Sequence, residues 1–221
     1  MIVSDILTAV ESVVKKEFRS SEPAALLQSD AFVWLKEIMD IIVDQLRDYV
    51  DVDTTSAVNN QVEYDFPADL YGDIDGILAV TIAGLGLDRA FWPEILREYR
   101  TTPLTLGGKT FPAVFLKWDT DKYAILPAPT TAGGLSKSVY YVKEPAVFTA
   151  ISDTIPRYFA SGFRQPLTDY LISRATDAID GAGAGEKYFE RCMLSINAKK
   201  AVKYNRSSQE DQANREDMNN L

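Results

Sequence analysis

Carboxylates are the main groups available for chemistry in this 221-residue chain, which contains 32 Asp and Glu residues and no histidine. Without an imidazole that titrates near neutral pH, the Ser-His-Asp and Cys-His nucleophile systems and His-ligated zinc sites are excluded. Asp119 and Asp121 are a conceivable glycosidase pair. Two carboxylates in one exposed WDTD turn are more often turn residues, so we expect no catalytic pair there.

Two further segments place aspartates two positions apart, as a calcium loop does: VDVDTT at residues 50–55 and YGDIDG at 71–76. Neither supplies the glutamate that completes an EF-hand, which favours solvated and turn-forming aspartates. GAGAG at residues 181–185 follows a helical pattern and lacks the spacing of a phosphate-binding loop, which predicts a flexible link between helices. The single Cys192 is typical of a small buried apolar side chain. We therefore predict no catalytic residue, metal or cofactor.

The charge balance narrows the choice of partners. The chain has 23 Lys and Arg residues against 32 Asp and Glu, a formal net charge of -9. Sequence-independent binding to DNA or RNA needs basic side chains that displace counterions, so a nucleic-acid-binding function is disfavoured. No run approaches the ~20 apolar residues of a membrane span, and a lone cysteine forms no internal disulfide. We expect synthesis in a reducing cytosol and no membrane association.

Apolar spacing predicts helices at both ends of the chain. Positions at helical spacing indicate helices over residues 4–18 and 30–50, and further stripes over residues 167–179 and 186–203. A single amphipathic helix cannot bury its own apolar face, so we expect these four helices to pack together as a bundle.

The part of the chain between these helical regions has the residue pattern of β-strands. After a polar loop at residues 51–60, strands are expected at residues 62–66, 76–82, 114–118, 123–126 and 139–142. The last two are expected to form a hairpin whose turn contains Gly133 and Gly134. Residues 88–100 predict one short helix, because Asp88 suits its start and Pro93 is tolerated in its first turn.

The predicted fold class is therefore α+β: a four-helix bundle formed by the N- and C-terminal helices, with an inserted antiparallel β-rich region and a polar C-terminal tail. Residues 1–60 hold the N-terminal helices, and residues 61–155 hold the β-rich insertion with its short helix. Residues 156–203 hold the C-terminal helices, and residues 204–221 are expected to be an extended polar tail.

Several segments, taken in this order, resemble one known protein family. They are SDAFVWLKEIMDIIVDQL at residues 29–46, YDFPADL at 64–70, ILPAPTTAGGLSKSVYYVKEP at 125–145, and PLTDYLISRATD at 166–177 followed by a helix with Y-F-x-x-C-M. The order of these segments and the residue pattern over residues 1–203 resemble those of the head-to-tail adaptor proteins of short-tailed bacteriophages, which are also called head completion or gatekeeper proteins.

The resemblance implies a structural virion protein of the neck without enzymatic activity. Such proteins assemble, usually as twelve copies, into a ring beneath the portal, and they present a platform for the tail tube or nozzle protein. It implies that helices contact the portal and that the β region faces the tail. Genomic DNA passes through the channel without specific binding, and an acidic wall suits that passage because it repels DNA.

The polar tail is the candidate partner-binding segment. Residues 205–221 contain only Met218 and Leu221 as sizeable apolar side chains, too few to offset the roughly 1–2 kcal/mol per residue that backbone ordering costs. We expect the tail to be disordered alone and to dock on the portal or a neighbouring subunit. Met218 and Leu221 would be its anchors, while Arg206 and Arg215 would pair with acidic groups.

Two other functions stay open on the sequence alone. A carbohydrate-acting enzyme would need a carboxylate pair in a cleft, and activity on glycans or peptidoglycan would reveal it. A free-standing protein-interaction module, outside any virion, would stay monomeric at high concentration.

Overall fold

The structure is a computed structural model that describes residues 1–21, 26–91, 104–106, 109–111, 114–126, 128–129 and 135–219. In residues 104–106, 109–111 and 206–219 it describes the backbone alone. The chain divides into two compact units. Met1–Arg47 and Pro145–Leu221 form the helical unit, and Asp48–Glu144 forms the β-rich unit.

Five helices make up the described part of the helical unit. They are α1 (Val3–Val14), α2 (Gln28–Leu46), α3 (Arg157–Gly162), α4 (Arg164–Asp180) and α5 (Glu186–Asn219). Helix α4 is the centre of this unit, because α1, α2, α3 and α5 all pack against it. Its buried side chains include Leu167, Tyr170 and Leu171, so the apolar stripe predicted here is the element that the other helices cover.

The link between α4 and α5 brings their backbones into close contact. A Cβ atom on Gly185 would lie 2.2 Å from the carbonyl oxygen of Ser173 on α4. The Gly185 amide donates to Asp177 Oδ1 at 2.8 Å. Residues 181–185 are thus a link between helices, as the sequence predicted, and Gly185 is the position at which the two helices meet.

Nine strands are described in the β-rich unit. They are β1 (Val50–Ser56), β2 (Glu63–Asp65), β3 (Ile77–Ile82), β4 (Leu85–Arg89), β5 (Leu104–Leu106), β6 (Lys109–Phe111), β7 (Val114–Asp119), β8 (Lys122–Leu126) and β9 (Ser136–Val142). Seven of them form a mixed half-barrel sheet in the order β1-β9-β3-β4-β7-β8-β2, and β5 pairs with β6 separately. The β4–β7 pair is parallel, whereas the other pairs are antiparallel.

Both faces of the sheet carry apolar side chains, and β8 shows this most clearly. Tyr123 and Ile125 belong to the larger apolar cluster, which also takes in Phe115 and Val139. Ala124, which points to the opposite face of the pleated strand, belongs to a smaller cluster with Leu116 and neighbouring residues. A strand buried on both faces has no polar alternation, which explains the continuous apolar run in this part of the sequence.

The fold class predicted from the sequence is wrong. The structure is α+β, but it has five helices and a seven-stranded mixed half-barrel sheet in place of a four-helix bundle with an inserted antiparallel β-rich region. Helices from the two ends of the chain do pack together, and Tyr170 Oη donates to Glu37 Oε2 on α2 at 2.9 Å. The sequence pattern did not reveal the short helix α3. It also did not reveal that the sheet has seven strands or that one of its strand pairs is parallel.

The hairpin expected at the end of the β-rich region is also wrong. Strands β8 and β9 are consecutive along the chain, yet β8 lies between β7 and β2, and β9 lies between β1 and β3. The hairpin partner of β8 is β7, across a two-residue turn at residues 120–121. A second two-residue hairpin joins β3 to β4 through Ala83 and Gly84, whose φ angles of 52° and 80° fit a type I′ turn. The glycine pair at 133–134 lies outside the described residues.

Three further expectations need correction. Residues 50–56 form strand β1, where we expected a polar loop. Asp88 lies in strand β4, so the helix predicted over residues 88–100 does not begin there, and residues 92–100 lie outside the described part. The backbone from residue 204 to Asn219 continues helix α5, where we expected an extended tail. Apart from these corrections, the division of the chain into four segments stays a prediction. These segments are residues 1–60, 61–155, 156–203 and 204–221.

We predict that Gly185→Ala destabilises the helical unit by about 1–3 kcal/mol, because its methyl group must push α4 and α5 apart. Gly162→Ala is the matched control, since a Cβ atom there meets nothing within 4 Å, and we expect it to be neutral or slightly stabilising. Urea unfolding monitored by circular dichroism compares the two. Equal stability of the two variants would contradict the close approach at Gly185.

Candidate functional site

The binding residues predicted in the C-terminal tail stay a prediction. Arg206, Arg215 and Met218 lie on the helical backbone of α5, but their side chains are outside the described part of the structure. Leu221 is outside it altogether. The structure therefore places three of these four residues on one helix and leaves their contacts open.

Three of the carboxylates that we weighed as catalytic or calcium-binding groups, Asp119, Asp73 and Asp75, have structural partners. Asp119 Oδ1 accepts from the Thr120 amide at 2.7 Å within the β7–β8 turn, which is the turn function that we expected. Asp73 Oδ1 accepts from the Asp75 amide at 3.1 Å. Asp73 also pairs with Lys117, and Asp75 pairs with Arg89 at 2.5 Å. These groups hold turns and strands together.

A polar cleft lies between the two edges of the half-barrel. Strands β1 and β2 stand at opposite ends of the sheet order, and both line this cleft of about 520 Å³. Its lining is Asp51, Val52, Asp53, Thr55, Gln61, Tyr64, Asp65, Phe66, Pro67, Ala68, Asp69, Lys137 and Tyr141. We call it the edge cleft.

One end of the edge cleft is closed by an ion network. Lys143 Nζ lies 2.7 Å from Asp51 Oδ2 on β1 and 3.0 Å from Asp69 Oδ2 beyond β2. Tyr141 Oη donates to Asp69 Oδ1 at 2.6 Å. One ammonium thus joins the two sides of the cleft. At the other end, residues 57–62 connect β1 directly to β2.

The network shifts the pKa values of both carboxyls downward. Hydrogen bonds from Lys143 and from the Val52 amide lower the pKa of Asp51. Burial raises the pKa of Asp69, but the hydrogen bonds from Tyr141 and Lys143 outweigh it, so that this pKa also lies below its usual value. The two hydrogen bonds raise the pKa of Lys143 in turn. All three groups are charged at neutral pH.

A second lysine lies buried at the floor of the cleft. Lys137 is 5% exposed, and its Nζ donates to Tyr123 Oη at 2.9 Å and lies 4.0 Å from the centre of the Tyr64 ring. Burial lowers the pKa of Lys137, whereas the nearby carboxylates of Asp53 and Asp65 oppose that shift. The aromatic faces and these two carboxylates are what make a buried ammonium tolerable here.

The hydroxyl of Tyr64 has no hydrogen-bond partner among the described residues, although the side chain is only 5% exposed. Burial raises the pKa of Tyr64, and the nearby Val58 backbone opposes that shift. A buried polar atom without a partner costs about 1–3 kcal/mol. Within the part of the chain that the structure describes, this hydroxyl is unsatisfied, and Asp53 and Asp65 of the same cleft form no ion pair at contact distance.

Sequence reasoning missed this site because the VDVDTT segment was interpreted as a solvated loop. In the structure its cross-strand partners on β9 are Tyr141, Val139 and Lys137. Residues opposite one another in a sheet share a face, so Asp51, Asp53 and Thr55 face the cleft. The alternation of Val50 and Val52 with the aspartates was the available signal, because period two is typical of a strand.

Besides the edge cleft of the β-rich unit, the structure has an exposed apolar surface on α5 of the helical unit. Cys192 and Ile196 point inward and are fully buried, and burial raises the pKa of the Cys192 thiol to about 12. On the opposite face, Leu194 is 68% and Val202 is 56% exposed. These two residues and Ala198 recur every four positions, so they form one stripe along the helix. We call it the α5 stripe.

The start of α2 lines an apolar groove of about 380 Å³ in the same unit. Its lining includes Phe32, Val33, Val147 and Phe148, of which Val147 is 72% exposed. Lys36 and Asp40 form an ion pair at 2.6 Å beside it. We call it the α2 groove. Two apolar surfaces on one unit are typical of a protein that packs against other chains.

The described residues form neither a metal site nor a membrane-spanning helix. No group of three or more Cys, Asp or Glu side chains there is arranged to hold a metal ion. None of the described helices combines the length and apolar character needed to cross a membrane.

We predict that Lys143→Met lowers stability by about 1 kcal/mol at pH 7, a modest value because these partly exposed pairs are screened by solvent. The pKa values of Asp51 and Asp69 are lowered by folding, so their contribution is present above the ordinary value of 3.8 and is lost as the pH falls below it. The difference between wild type and variant should therefore shrink in acid. Urea unfolding at pH 7, 5, 4 and 3 measures it.

Lys122→Met is the matched control, because Lys122 forms a single exposed pair with Glu63 at 3.5 Å. We expect it to change stability by less than about 0.5 kcal/mol at every pH. A Lys143→Met deficit that stays constant from pH 7 to pH 3 would mean that the ion network is not its source.

A family model described as SU10 adaptor protein matches residues 1–215 of the chain. A search of curated proteins finds no match. The matched range includes all of the β-rich unit and the described helices of the helical unit except the last turn of α5.

Proposed function

The chain belongs to the SU10 adaptor protein family, and we propose from this membership that it is the head-to-tail adaptor that forms a ring beneath the portal of a phage capsid. The family points to a structural, non-enzymatic phage protein whose partners are portal and tail components and whose location is the virion neck. The observation that carries the proposal is the extent of the match, because it spans both units.

The ring is the first finer part of the proposal. A ring needs a heterologous interface, in which one surface of each copy meets a different surface of the next. The α5 stripe and the α2 groove are two different exposed apolar surfaces on the helical unit. They supply the two sides of such an interface, and we expect about twelve copies by analogy with other adaptors.

The path of the DNA is the second part. A formal net charge of -9 means that a channel lined by copies of this chain repels the phosphate backbone. Repulsion without specific contacts lets the genome slide during packaging and ejection. The adaptor thus extends the portal channel and offers its free side as the docking platform for the tail tube or nozzle protein.

Attachment to the portal is the third part, and we assign it to the end of α5. This helix has 34 residues, so it is about 50 Å long, and its side chains at residues 201–205 are all exposed. An exposed polar helical end gains little from its own chain and is stabilised by docking. Arg206, Arg215, Met218 and Leu221 remain the residues proposed for that contact.

A carbohydrate-acting enzyme is the weaker alternative. Asp51, Asp73 and Asp119 hold strands, turns and lysines, and the family points to a structural, non-enzymatic protein.

We predict that the purified chain forms a stable ring on the portal of the same phage, and that Leu194→Glu with Val202→Glu abolishes it. Two buried carboxylates without partners would cost far more than the interface gains from two side chains. Leu194→Met is the matched control, since it preserves an apolar surface, and it should assemble normally. Size-exclusion chromatography and cryo-EM of each variant mixed with the portal show whether a ring forms.

Thermal unfolding of each variant shows whether the monomer is intact, which we expect because both positions are exposed. Failure of the wild-type chain to bind the portal would overturn the adaptor proposal. Normal rings from the double glutamate variant would leave the adaptor function standing and remove the α5 stripe from the interface.

We also predict that deletion of residues 205–221 leaves the fold intact and weakens attachment to the portal. Every buried side chain of the helical unit that the structure describes lies at or before Ile196, so this truncation keeps them all. Arg206→Glu with Arg215→Glu in the full-length chain should weaken attachment in the same direction. Binding to immobilised portal measures both, and unchanged binding by the truncated chain would show that this segment does not dock.

A further inference from the structure

Helix α5 has a basic segment in an acidic protein. Residues 187–206 contain six lysine and arginine residues against one glutamate, which is a formal net charge of +5, whereas the whole chain has -9. Surfaces of opposite charge attract each other across an interface, so this segment is the part of α5 that suits an anionic partner. Its cations are Lys187, Arg191, Lys199, Lys200, Lys203 and Arg206.

Three of these cations are held in place by neutral groups of neighbouring helices. Lys199 Nζ lies 4.7 Å from the centre of the Phe163 ring, which directly precedes α4. Lys200 Nζ donates to Gln45 Oε1 at 2.8 Å, and Lys203 Nζ donates to the carbonyl oxygen of the last residue of α2. The three ammonium groups are therefore fixed between the start of α4 and the end of α2, within about one turn of α5.

No carboxylate in the described part of the chain forms an ion pair with these three lysines. The same holds for Arg164, the exposed first residue of α4, which follows the ring that Lys199 covers. We call Arg164, Lys199, Lys200 and Lys203 the basic corner. The end of α2 brings only about -0.5 elementary charge to it. The positive charge of the corner therefore remains largely uncompensated, and like charges this close repel each other.

The size of the basic corner decides between a nucleic acid and a protein as its anionic partner. Lys199 and Lys203 lie about 6 Å apart along the helix axis, which is less than the Debye length of about 8 Å at physiological salt. A DNA duplex carries one charge per about 1.7 Å of its axis and extends far beyond the corner, where the acidic remainder of the chain repels it. A short segment with a few carboxylates matches the corner without this repulsion.

From these observations we propose that the basic corner binds a short carboxylate-rich segment of the portal. An ammonium has three N–H donors, and Lys200 and Lys203 each use one of them on α2, so the others reach carboxylate oxygens of the partner. Arg164 adds a guanidinium, which binds a carboxylate through two parallel hydrogen bonds. Charge-assisted hydrogen bonds of this kind are about twice as strong as neutral ones.

The identity of the partner as the portal rests on the proposed function. The basic corner lies on α5 directly before residues 205–221, the segment that we assign to portal attachment, and one continuous helix carries both. A neighbouring copy is the other source of carboxylates, because residues 207–217 contain four acidic residues and one arginine. The portal is favoured because that segment of α5 is itself assigned to the portal contact.

The test is an NMR titration of the amide-labelled full chain with an acetylated and amidated acidic peptide, Ser-Glu-Glu-Ser-Glu-Glu-Ser. Three comparison ligands are the same peptide with glutamine in place of glutamate, a short DNA duplex, and a peptide copy of residues 207–217. We expect the acidic peptide to shift amides at residues 45–47, 163–165 and 198–204, and the glutamine peptide to shift none. The duplex and the copied segment should bind more weakly. Binding should weaken as salt is added, because charge pairs are screened.

Variants at the basic corner connect the shifts to the named groups. Lys199→Gln with Lys200→Gln should weaken binding of the acidic peptide by about tenfold, and Arg164→Gln alone should weaken it by a smaller factor. Lys15→Gln with Lys16→Gln is the matched control, because these are also adjacent exposed lysines of the helical unit and the net charge changes equally. The control should bind like wild type. The thermal midpoint of each variant shows whether it is folded.

Several outcomes would overturn the inference. They are no shifts at millimolar acidic peptide, equal binding of the glutamine peptide, an equal loss in the Lys15 and Lys16 variant, and tighter binding of the duplex. Tighter binding of the copied segment would assign the corner to a neighbouring copy and remove the portal from it. None of these titrations contains the portal, so their failure leaves the adaptor proposal to its own test.

Binding to immobilised portal then tests the identity of the partner. The Lys199 and Lys200 double variant should attach more weakly than wild type, with a smaller dependence on salt because two charge contacts are lost, whereas the Lys15 and Lys16 control should attach normally. Unchanged attachment of the Lys199 and Lys200 variant to a portal that binds wild type would show that the portal does not occupy the basic corner, while the adaptor proposal would stand.

Discussion

The placement of β8 and β9 in different parts of the sheet determines the strand order of the β-rich unit. Because β9 pairs with β1 and β3, while β8 pairs with β7 and β2, the strands that come earliest in this unit become the two edges. Residues 57–62 tie those edges together at one end, and Lys143 ties them at the other. The cleft between the two edges is thus a product of the strand order.

The cleft also shows why its polar groups cannot be explained by stability alone. A buried lysine beside two tyrosines is worth less to the fold than apolar residues of similar size would be, and the Tyr64 hydroxyl has no hydrogen-bond partner among the described residues. The larger apolar cluster, which includes Phe115, Tyr123 and Ile125, carries the stability of this unit. Groups that reduce stability in one confined place are typical of recognition sites.

The sequence predicted the positions of helices and strands along the chain better than it predicted how they pair and pack. Periodicity found α1, α2, α4 and the body of α5, because each has a buried stripe. It also found β2, β3, β7, β8 and β9 within a few residues. It failed where pairing is non-local: proximity along the chain suggested a β8–β9 hairpin, and nothing in VDVDTT reveals that Lys137 lies opposite Thr55. The end of α5 was missed because we weighed burial, whereas Glu, Gln, Ala and Arg there favour helix by intrinsic propensity.

The two units offer surfaces of different chemistry, which is what an adaptor between two partners requires. The α5 stripe and the α2 groove are apolar, so contacts there depend on burial and are insensitive to salt. The edge cleft is acidic, so its contacts depend on charge and are screened by salt. A partner suited to one surface is therefore poorly suited to the other, because an apolar side chain gains nothing among carboxylates and a guanidinium loses its hydration on an apolar face. This difference separates the apolar surfaces that we propose for contacts between copies from the acidic cleft of the β-rich unit.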